Sequence, residues 1–308
     1  MARPFQASGW RASLWRVSRL QRRGEPASRL SEFGRSTYEG LRWQRALHAG
    51  RRWALWGALC GGLLGLVAFA PAAWLAAWVE RTSAGQLLLA DARGSIWRGS
   101  AVAVLTAGAD SRSARSLPGR LHWTLRPAGL GLALQLEHAC CLNGQPTLRF
   151  KPGLGTLTTT LDGSPGWIGQ WPAEWLAGLG TPWNTLQLGG ALRLTSPGLT
   201  LTWVQGRWRV QGQATLEMLD VASRVSPLPR LGSYRLQLSG DPGNAGTAQL
   251  GLSTLDGALQ LSGQGTLGPN GMRFRGEASA AEADQQALAN LLNIIGRRDG
   301  ARSVIAIG

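Results

Sequence analysis

Apolar and polar residues alternate along most of the chain after residue 85. Leu121, Trp123 and Leu125 are separated by single polar residues, and the same spacing of two returns at 130–136, 186–194, 199–203, 208–210, 234–238, 250–252, 259–261 and 272–274. Successive side chains of an extended strand point to opposite faces. The spacing therefore predicts antiparallel strands with one buried and one solvated face.

Turn signals separate the alternating runs and set the predicted strand ends. They include Pro152-Gly153, Pro197-Gly198 and Gln205-Gly206. Asp256-Gly257 lies between two alternating runs, which predicts a type I′ hairpin.

Two stretches have helical patterns instead. Residues 171–177 suit a short helix with Pro172 near its first turn. In the segment 280–295 the apolar residues fall at i, i+3, i+4 and i+7 (Leu288, Leu291, Leu292 and Ile295), and Gly296 follows as a C-terminal stop. The fold class is thus mainly β: residues 85–308 are predicted to form one continuous antiparallel sheet, curved or folded over in a sandwich-like way, with a short C-terminal helix.

A long uncharged run, residues 53–79, precedes the β-rich part. As a helix it would span roughly 40 Å, enough for a bilayer core of about 30 Å. Tryptophans lie at both ends, and Pro71 lies where a helix stops or kinks at low cost. The run predicts a single N-terminal transmembrane helix.

Charge predicts the orientation of that helix. Residues 1–52 carry twelve arginines and three glutamates, and no other charged residue. The positive-inside rule then places this basic segment, predicted to be disordered, in the cytoplasm and residues 85–308 outside it. A cleaved signal peptide is the competing interpretation, but the apolar run is longer than such peptides have.

The net charge of +15 raises the question of nucleic-acid binding. Lys151 is the only lysine among the basic residues, which is typical of a compositional bias toward arginine, and the densest basic cluster has a membrane explanation. Arg207-Trp208-Arg209 alternates base and aromatic, but in a strand Trp208 is expected to point inward. No nucleic-acid partner is predicted.

The search for reactive chemistry leads to no catalytic residue, cofactor or metal site. The three cysteines do not form a disulfide framework, and for the adjacent Cys140 and Cys141 both a strained bond and free thiols stay open. His138 is near them, without a second ligand pair at suitable spacing. The G-x-G-x-x-G match at 263–268 is followed by a turn rather than by the helix that a dinucleotide site requires. The chain is therefore not expected to be an enzyme.

A stripe of small residues marks the apolar run. Gly57, Gly61 and Gly65 are spaced by four, so a second helix can approach closely along them. The second helix would come from another membrane subunit or from a second copy of the chain.

An ordered set of short motifs follows the apolar run. It comprises Gly94-Ser95-Ile96-Trp97-Arg98-Gly99, Leu121-His122-Trp123-Thr124-Leu125, Leu231-Gly232-Ser233-Tyr234-Arg235-Leu236, Leu255-Asp256-Gly257-Ala258-Leu259 and Leu291-Leu292-Asn293-Ile294-Ile295-Gly296-Arg297-Arg298. In this order, behind one anchor, the set resembles type II secretion system protein N (general secretion pathway protein N).

The resemblance implies a single-pass protein of the bacterial inner membrane with a periplasmic β domain. Such a protein is an accessory or scaffold component of the machine that exports folded proteins across the outer membrane. Its partners would be other type II secretion subunits and membrane lipids, with no assigned catalytic residue. The motif residues expected to matter structurally are Gly94, Trp97, Gly99, Tyr234, Asp256, Gly257, Leu292 and Gly296. Trp97 is expected to bury a large apolar area between tight turns at the two glycines, and Tyr234 to place its ring in the core with its hydroxyl at a rim.

One alternative comes from another class. A single anchor followed by alternating strands also resembles AsmA-like envelope proteins, which would bind or transfer lipid through an apolar β groove. A scaffold domain is expected to close its apolar face with helices such as 280–295, whereas a lipid groove leaves that face uncovered.

Overall fold

The computed structural model describes residues 53–108, 111, 113–240, 246–268 and 271–308. The predicted cytoplasmic segment 1–52 lies outside them. The chain divides into two units, Met1–Leu64 and Gly65–Gly308. The described part of the first unit, residues 53–64, is helical. The second unit contains the sheet and is called the β unit below.

The predicted helix over residues 53–79 is divided in two. Helix α1 covers residues 53–68, and α2 covers Ala72–Thr82 with Pro71 at its N-cap. Pro71 itself forms an isolated bridge to Ser95 of the β unit. Across the described ranges, no helix combines the length and the apolar character that crossing a bilayer requires. The transmembrane anchor stays a prediction.

The β unit contains sixteen strands among the described residues. The first eight are β1 (Leu87–Gly94), β2 (Arg98–Thr106), β3 (Ala114–Ser116), β4 (Leu121–Ala128), β5 (Gly131–His138), β6 (Thr147–Gly153), β7 (Thr156–Leu161) and β8 (Trp167–Pro172). The others are β9 (Leu188–Val204), β10 (Arg207–Ser223), β11 (Gly232–Gly240), β12 (Ala248–Asp256), β13 (Leu259–Gly268), β14 (Gly271–Ala280), β15 (Arg297–Asp299) and β16 (Arg302–Ile307).

All sixteen strands belong to one antiparallel sheet, as predicted. Their order follows the sequence closely, β1-β2-β4-β5-β6-β7-β9-β10-β11-β12-β13-β14-β16-β15, with β3 beside β2 and β8 beside β9. The long β9 therefore pairs with two strands on one side, β8 along its first part and β7 along its second. The β-rich fold that alternation indicates is confirmed.

Short helices lie at the ends of the strands. They are a 3₁₀ helix at Ala173–Leu179, α3 at Trp183–Leu186, a 3₁₀ turn at Glu282–Asp284, and α4 at Gln285–Ile295. The first begins directly after Pro172, as expected. Helix α4 buries Leu288, Leu291 and Leu292 and ends before Gly296, which confirms the predicted C-terminal helix.

The turn expected at Pro197-Gly198 is wrong, because β9 runs through both residues. Gly198 pairs with Gln213, and Thr195 with Thr215, so β9 has one residue more than β10 over this stretch. The irregularity places Pro197, which has no N–H, where no ladder bond is needed. Ser196 holds the strand there: its hydroxyl donates to the Gln213 carbonyl (2.6 Å) and accepts from the Gly198 N–H (3.1 Å).

The hairpin at Asp256-Gly257 is confirmed, but its type I′ geometry is not. Gly257 has φ +123°, whereas Asp256 is not in the positive-φ region that type I′ requires at both central positions. The β12–β13 pairing stops at Ser253 and Ser262, and beyond it the Thr254 hydroxyl accepts from the Leu261 N–H (2.6 Å) and donates to the Leu261 carbonyl (2.9 Å).

The glycine-rich match at 263–268 lies within β13, as the rejection of a dinucleotide site required. Gly263 and Gly265 lie against the ring of Phe274 on β14, and a Cβ on Gly265 would come within 2.9 Å of that ring. The glycines thus make room for an aromatic ring on the sheet.

One face of the sheet carries the alternating apolar residues. Directly paired residues project from the same face, and the ladder joins Leu157 to Trp203 and Trp208, and Leu216 to Leu236 and Leu252. Three buried clusters form the core: one beneath α4, one beneath α2, and one between Leu117, Cys141 and the tryptophans at 171 and 175. Elsewhere the apolar face is partly exposed.

Candidate functional site

Three of the predicted motif residues form the junction where the chain enters the β unit. Gly94 ends β1 and pairs with Gly99 of β2, with φ +89° at Gly94, so the chain turns tightly around Ser95 to Trp97. The Trp97 indole N–H donates to the Val67 carbonyl (2.9 Å), and the Ile96 N–H donates to the Ala70 carbonyl (3.0 Å). This hairpin therefore binds the chain segment that leads into α2.

The tryptophan buried at this junction is Trp123, not Trp97. Trp97 is only half-buried, whereas Trp123 is 3% exposed and donates its indole N–H to the Ile96 carbonyl (3.2 Å). Gly99 lies directly under the Trp123 ring, so a Cβ there would overlap the indole. The expectation that Trp97 buries a large area is corrected, since its role is a hydrogen bond.

The other motif residues meet at the opposite end of the unit, around Tyr234. Its ring is 2% exposed, and its hydroxyl donates to the Leu259 carbonyl (3.1 Å). Burial raises the pKa of Tyr234 well above its usual value, and the nearby Asp256 carboxylate adds to that rise. The expected position of the hydroxyl at a rim is therefore wrong, because the hydroxyl is enclosed.

Asp256 is held by an arginine that the sequence did not single out. Arg230 donates to both Asp256 carboxylate oxygens (2.9 and 3.0 Å) and also contacts Asp220 (2.8 Å), while the Ser233 N–H donates to Asp256 (3.0 Å). Partial desolvation raises the pKa of Asp256, but the hydrogen bonds from Arg230 and Ser233 outweigh it, and the net pKa is lowered. Gly257 lies against Gly232, where a side chain has no room.

Leu292 and Gly296 attach α4 to the same end. Leu292 is buried, and its carbonyl accepts a hydrogen bond from the buried Ser303 hydroxyl (2.6 Å). Gly296 lies against the Val304 carbonyl. Tyr234 and Leu292 thus belong to one buried cluster, and Asp256 and Gly257 lie beside it against Ser233 and Gly232, while Gly94, Trp97 and Gly99 belong to the junction. The Tyr234 and Ser303 hydroxyls each donate to a residue of another element, so the polar groups here connect β11 to β13 and β16 to α4.

The stripe Gly57, Gly61 and Gly65 lies within helix α1. A Cβ on any of the three would meet open space among the described residues. The contact with a second helix stays a prediction.

Sequence reasoning left the state of the adjacent cysteines open, and in the structure Cys140 and Cys141 form a disulfide. The His138 ring is buried beside it, with Nδ1 3.4 Å from the Cys140 sulfur, and burial lowers its pKa, with a smaller contribution from His122. Because the two sulfurs are bonded to each other, His138 is the member of this three-residue group that could still offer a metal ligand atom. No signal in the sequence distinguished the bond from two free thiols.

A second region missed by sequence reasoning is the end of the β9–β10 hairpin. Trp208 is 52% exposed, so the expectation that it points inward and is buried is wrong. It lies on the apolar face, but next to the turn, beyond the reach of the helices that cover the core. The Gln205-Gly206 turn two residues earlier was the sequence signal that Trp208 lies near the end of a strand.

Comparisons with known proteins agree with this arrangement. The family model for type II secretion system (T2SS) protein N matches residues 85–305, from just before β1 into β16. Neither the curated proteins nor the solved structures give a match. The match covers most of the chain, including Gly94, Trp97 and Gly99 of the junction and the Tyr234 core, and the chain therefore belongs to the type II secretion system protein N family.

Proposed function

We propose that this chain is an inner-membrane accessory or scaffold component of the type II secretion system, supporting export of folded proteins across the outer membrane. The observation that carries the proposal is the family match over 85–305, which coincides with the β unit. The chain's partners would be other type II secretion subunits of the inner-membrane platform or periplasm. Neither catalysis nor a cofactor is part of the proposed role.

The proposed placement is a single membrane pass with the N-terminus in the cytoplasm and the β unit in the periplasm. Two features support it. The arginine-rich segment before residue 53 favours cytoplasmic retention. The Cys140–Cys141 disulfide favours an oxidising compartment for the β unit, because cytoplasmic thiols are kept reduced.

A secretion assay tests the role. Deletion of the gene from its native host is expected to reduce the release of a type II substrate into the medium and to leave that substrate in the periplasm. Plasmid copies of the wild type and of Ile294→Ala, an exposed position on α4, should both restore release. Unchanged release by the deletion strain contradicts a supporting role.

A second function is favoured by one observation, the incomplete cover of the apolar face. Leu236, Leu250 and Leu252 are only half-buried on that face, and Ile307 is exposed. An AsmA-like protein would place acyl chains there.

Native mass spectrometry of the purified full chain separates the two functions. The scaffold role predicts little stoichiometric lipid, and the lipid-handling role predicts about one phospholipid per chain. The lipid-handling role further predicts that Leu252→Gln, on the apolar face, lowers that occupancy, and that Gln249→Leu, on the opposite face of the same strand, does not.

A further inference from the structure

Three neighbouring hairpins end at the same edge of the sheet and expose apolar side chains there. The β4–β5, β6–β7 and β9–β10 turns are adjacent because their strands follow one another in the sheet. They display Leu130 (88% exposed), the fully exposed Leu154, and the cross-strand pair Trp203 and Trp208. We call these four residues together with Lys151, Arg207 and Arg209 the hairpin-tip patch.

The ladder shows that the apolar strand residues at the tips form one row on one face, whereas Lys151, Arg207 and Arg209 project from the opposite face at the same edge. Pro152 pairs with Leu157, Leu157 with Trp203, and Trp203 with Trp208. Strands lie about 4.8 Å apart, so this row extends over roughly 15 Å. Leu130 and Leu154 occupy the turns just beyond it. An exposed apolar patch of this kind on a folded domain marks a contact surface.

Charge is segregated along the same strands. Lys151, Arg207 and Arg209 are exposed next to the tips, and none forms an ion pair or side-chain hydrogen bond with another described residue. The acidic residues of these strands, Glu137, Glu217 and Asp220, lie toward their other ends. The edge therefore has indole rings on one face and unpaired positive charge on the other, so an anionic bilayer that meets the hairpin tips end-on would contact both.

The position of the junction relative to the hairpin tips indicates which membrane the hairpin-tip patch faces. The Leu125 N–H donates to the Trp97 carbonyl (2.7 Å), and Trp97 bonds Val67. Leu125 lies three residues, about 10 Å, before the end of β4 at Ala128, and Leu130 follows in the turn. The chain thus enters the β unit on the tip side of β4, whereas the disulfide and α4 lie at the other end.

We propose that the hairpin-tip patch binds the anionic phospholipid surface of the membrane that holds the N-terminal helix, as a second contact beside that helix. The inference rests on the proposed single-pass placement. Trp203 and Trp208 would lie among the headgroups, and the three basic side chains would meet phosphates. This contact would orient the β unit on the membrane instead of leaving it on a free tether.

Lys151 provides a direct probe, because it is the only lysine of the chain. The full chain would be reconstituted into nanodiscs of phosphatidylcholine, alone or mixed with phosphatidylglycerol. The rate of Lys151 acylation by an amine-reactive ester would then be followed by mass spectrometry. We expect acylation at least about tenfold slower in the anionic discs, since each basic residue at an anionic surface contributes a preference of roughly fivefold.

Matched charge reversals test the location. Arg207→Glu with Arg209→Glu should return the anionic-disc rate to the neutral-disc rate. Arg224→Glu with Arg297→Glu, exposed and away from the tips, should leave the protection intact. Trp208→Ser tests the apolar part and should weaken protection in both kinds of disc.

Each result decides the inference. Equal rates in the two discs overturn it and leave the secretion role standing, provided that the chain is inserted. Equal effects of the two double reversals also overturn it. Protection that appears only when other secretion subunits are added identifies the patch as a protein contact instead. A chain that does not insert contradicts both this inference and the proposed single-pass placement.

Discussion

Removing the Leu288 side chain should loosen the attachment of α4 and destabilise the β unit. Leu288 is 0% exposed and packs beneath the helix in the same cluster as Tyr234 and Leu259. Leu288→Ala deletes three carbons, about 2.4 kcal/mol of transfer free energy, and adds a cavity term, which gives about 3 kcal/mol within the range of 2–5. For a unit of about 240 residues this free-energy change lowers Tm by about 6 °C.

The assay is thermal unfolding of the full chain in mild detergent, followed by tryptophan fluorescence. Ile294→Ala is the matched control, because it lies on the same helix but is 51% exposed. The control should cost below about 1 kcal/mol, since little burial is lost and alanine favours the helix. If both variants lower Tm equally, α4 does not cover a core as described.

Three further predictions address other parts of the structure. In a Tyr38→Phe variant Tyr234 is the one tyrosine left. The ultraviolet absorbance of the phenolate should show that Tyr234 is still protonated above pH 10. Because folding raises the pKa of Tyr234, its protonated phenol contributes to the free energy of unfolding below the unfolded pKa. That contribution is lost as pH rises toward the folded value. Gly99→Ala should lower Tm strongly because its Cβ overlaps an indole, whereas Gly251→Ala, which faces open space, should change it little. Denatured chain isolated without reductant should react with one equivalent of N-ethylmaleimide, at Cys60, and with three after reduction.

The regular parts of the fold followed from the sequence because they depend on local periodicity. Alternation gave the strands, and the spacing of Leu288, Leu291 and Leu292 gave α4. Both patterns reflect burial of one face, which a single chain displays directly. The sequence also predicted that the G-x-G-x-x-G match at 263–268 belongs to a strand, because the turn residues after it exclude a helix there.

What the sequence did not disclose depends on contacts between distant residues. Pro197 appeared to end a strand, but the long β10 partner carries β9 through it. Trp208 follows the alternation and was expected to be buried, yet exposure depends on how far the covering helices reach. The bond from Arg230 to Asp256 joins residues far apart in the chain, and no local pattern marks it.

Affinity purification of the tagged full chain from native membranes in a gentle detergent, read by mass spectrometry, tests the central claim most directly. Membership of the secretion machine predicts that other type II secretion subunits co-purify, at levels above those recovered with an unrelated single-pass protein carrying the same tag. Recovery of stoichiometric phospholipid without any secretion subunit would contradict the account and favour lipid handling.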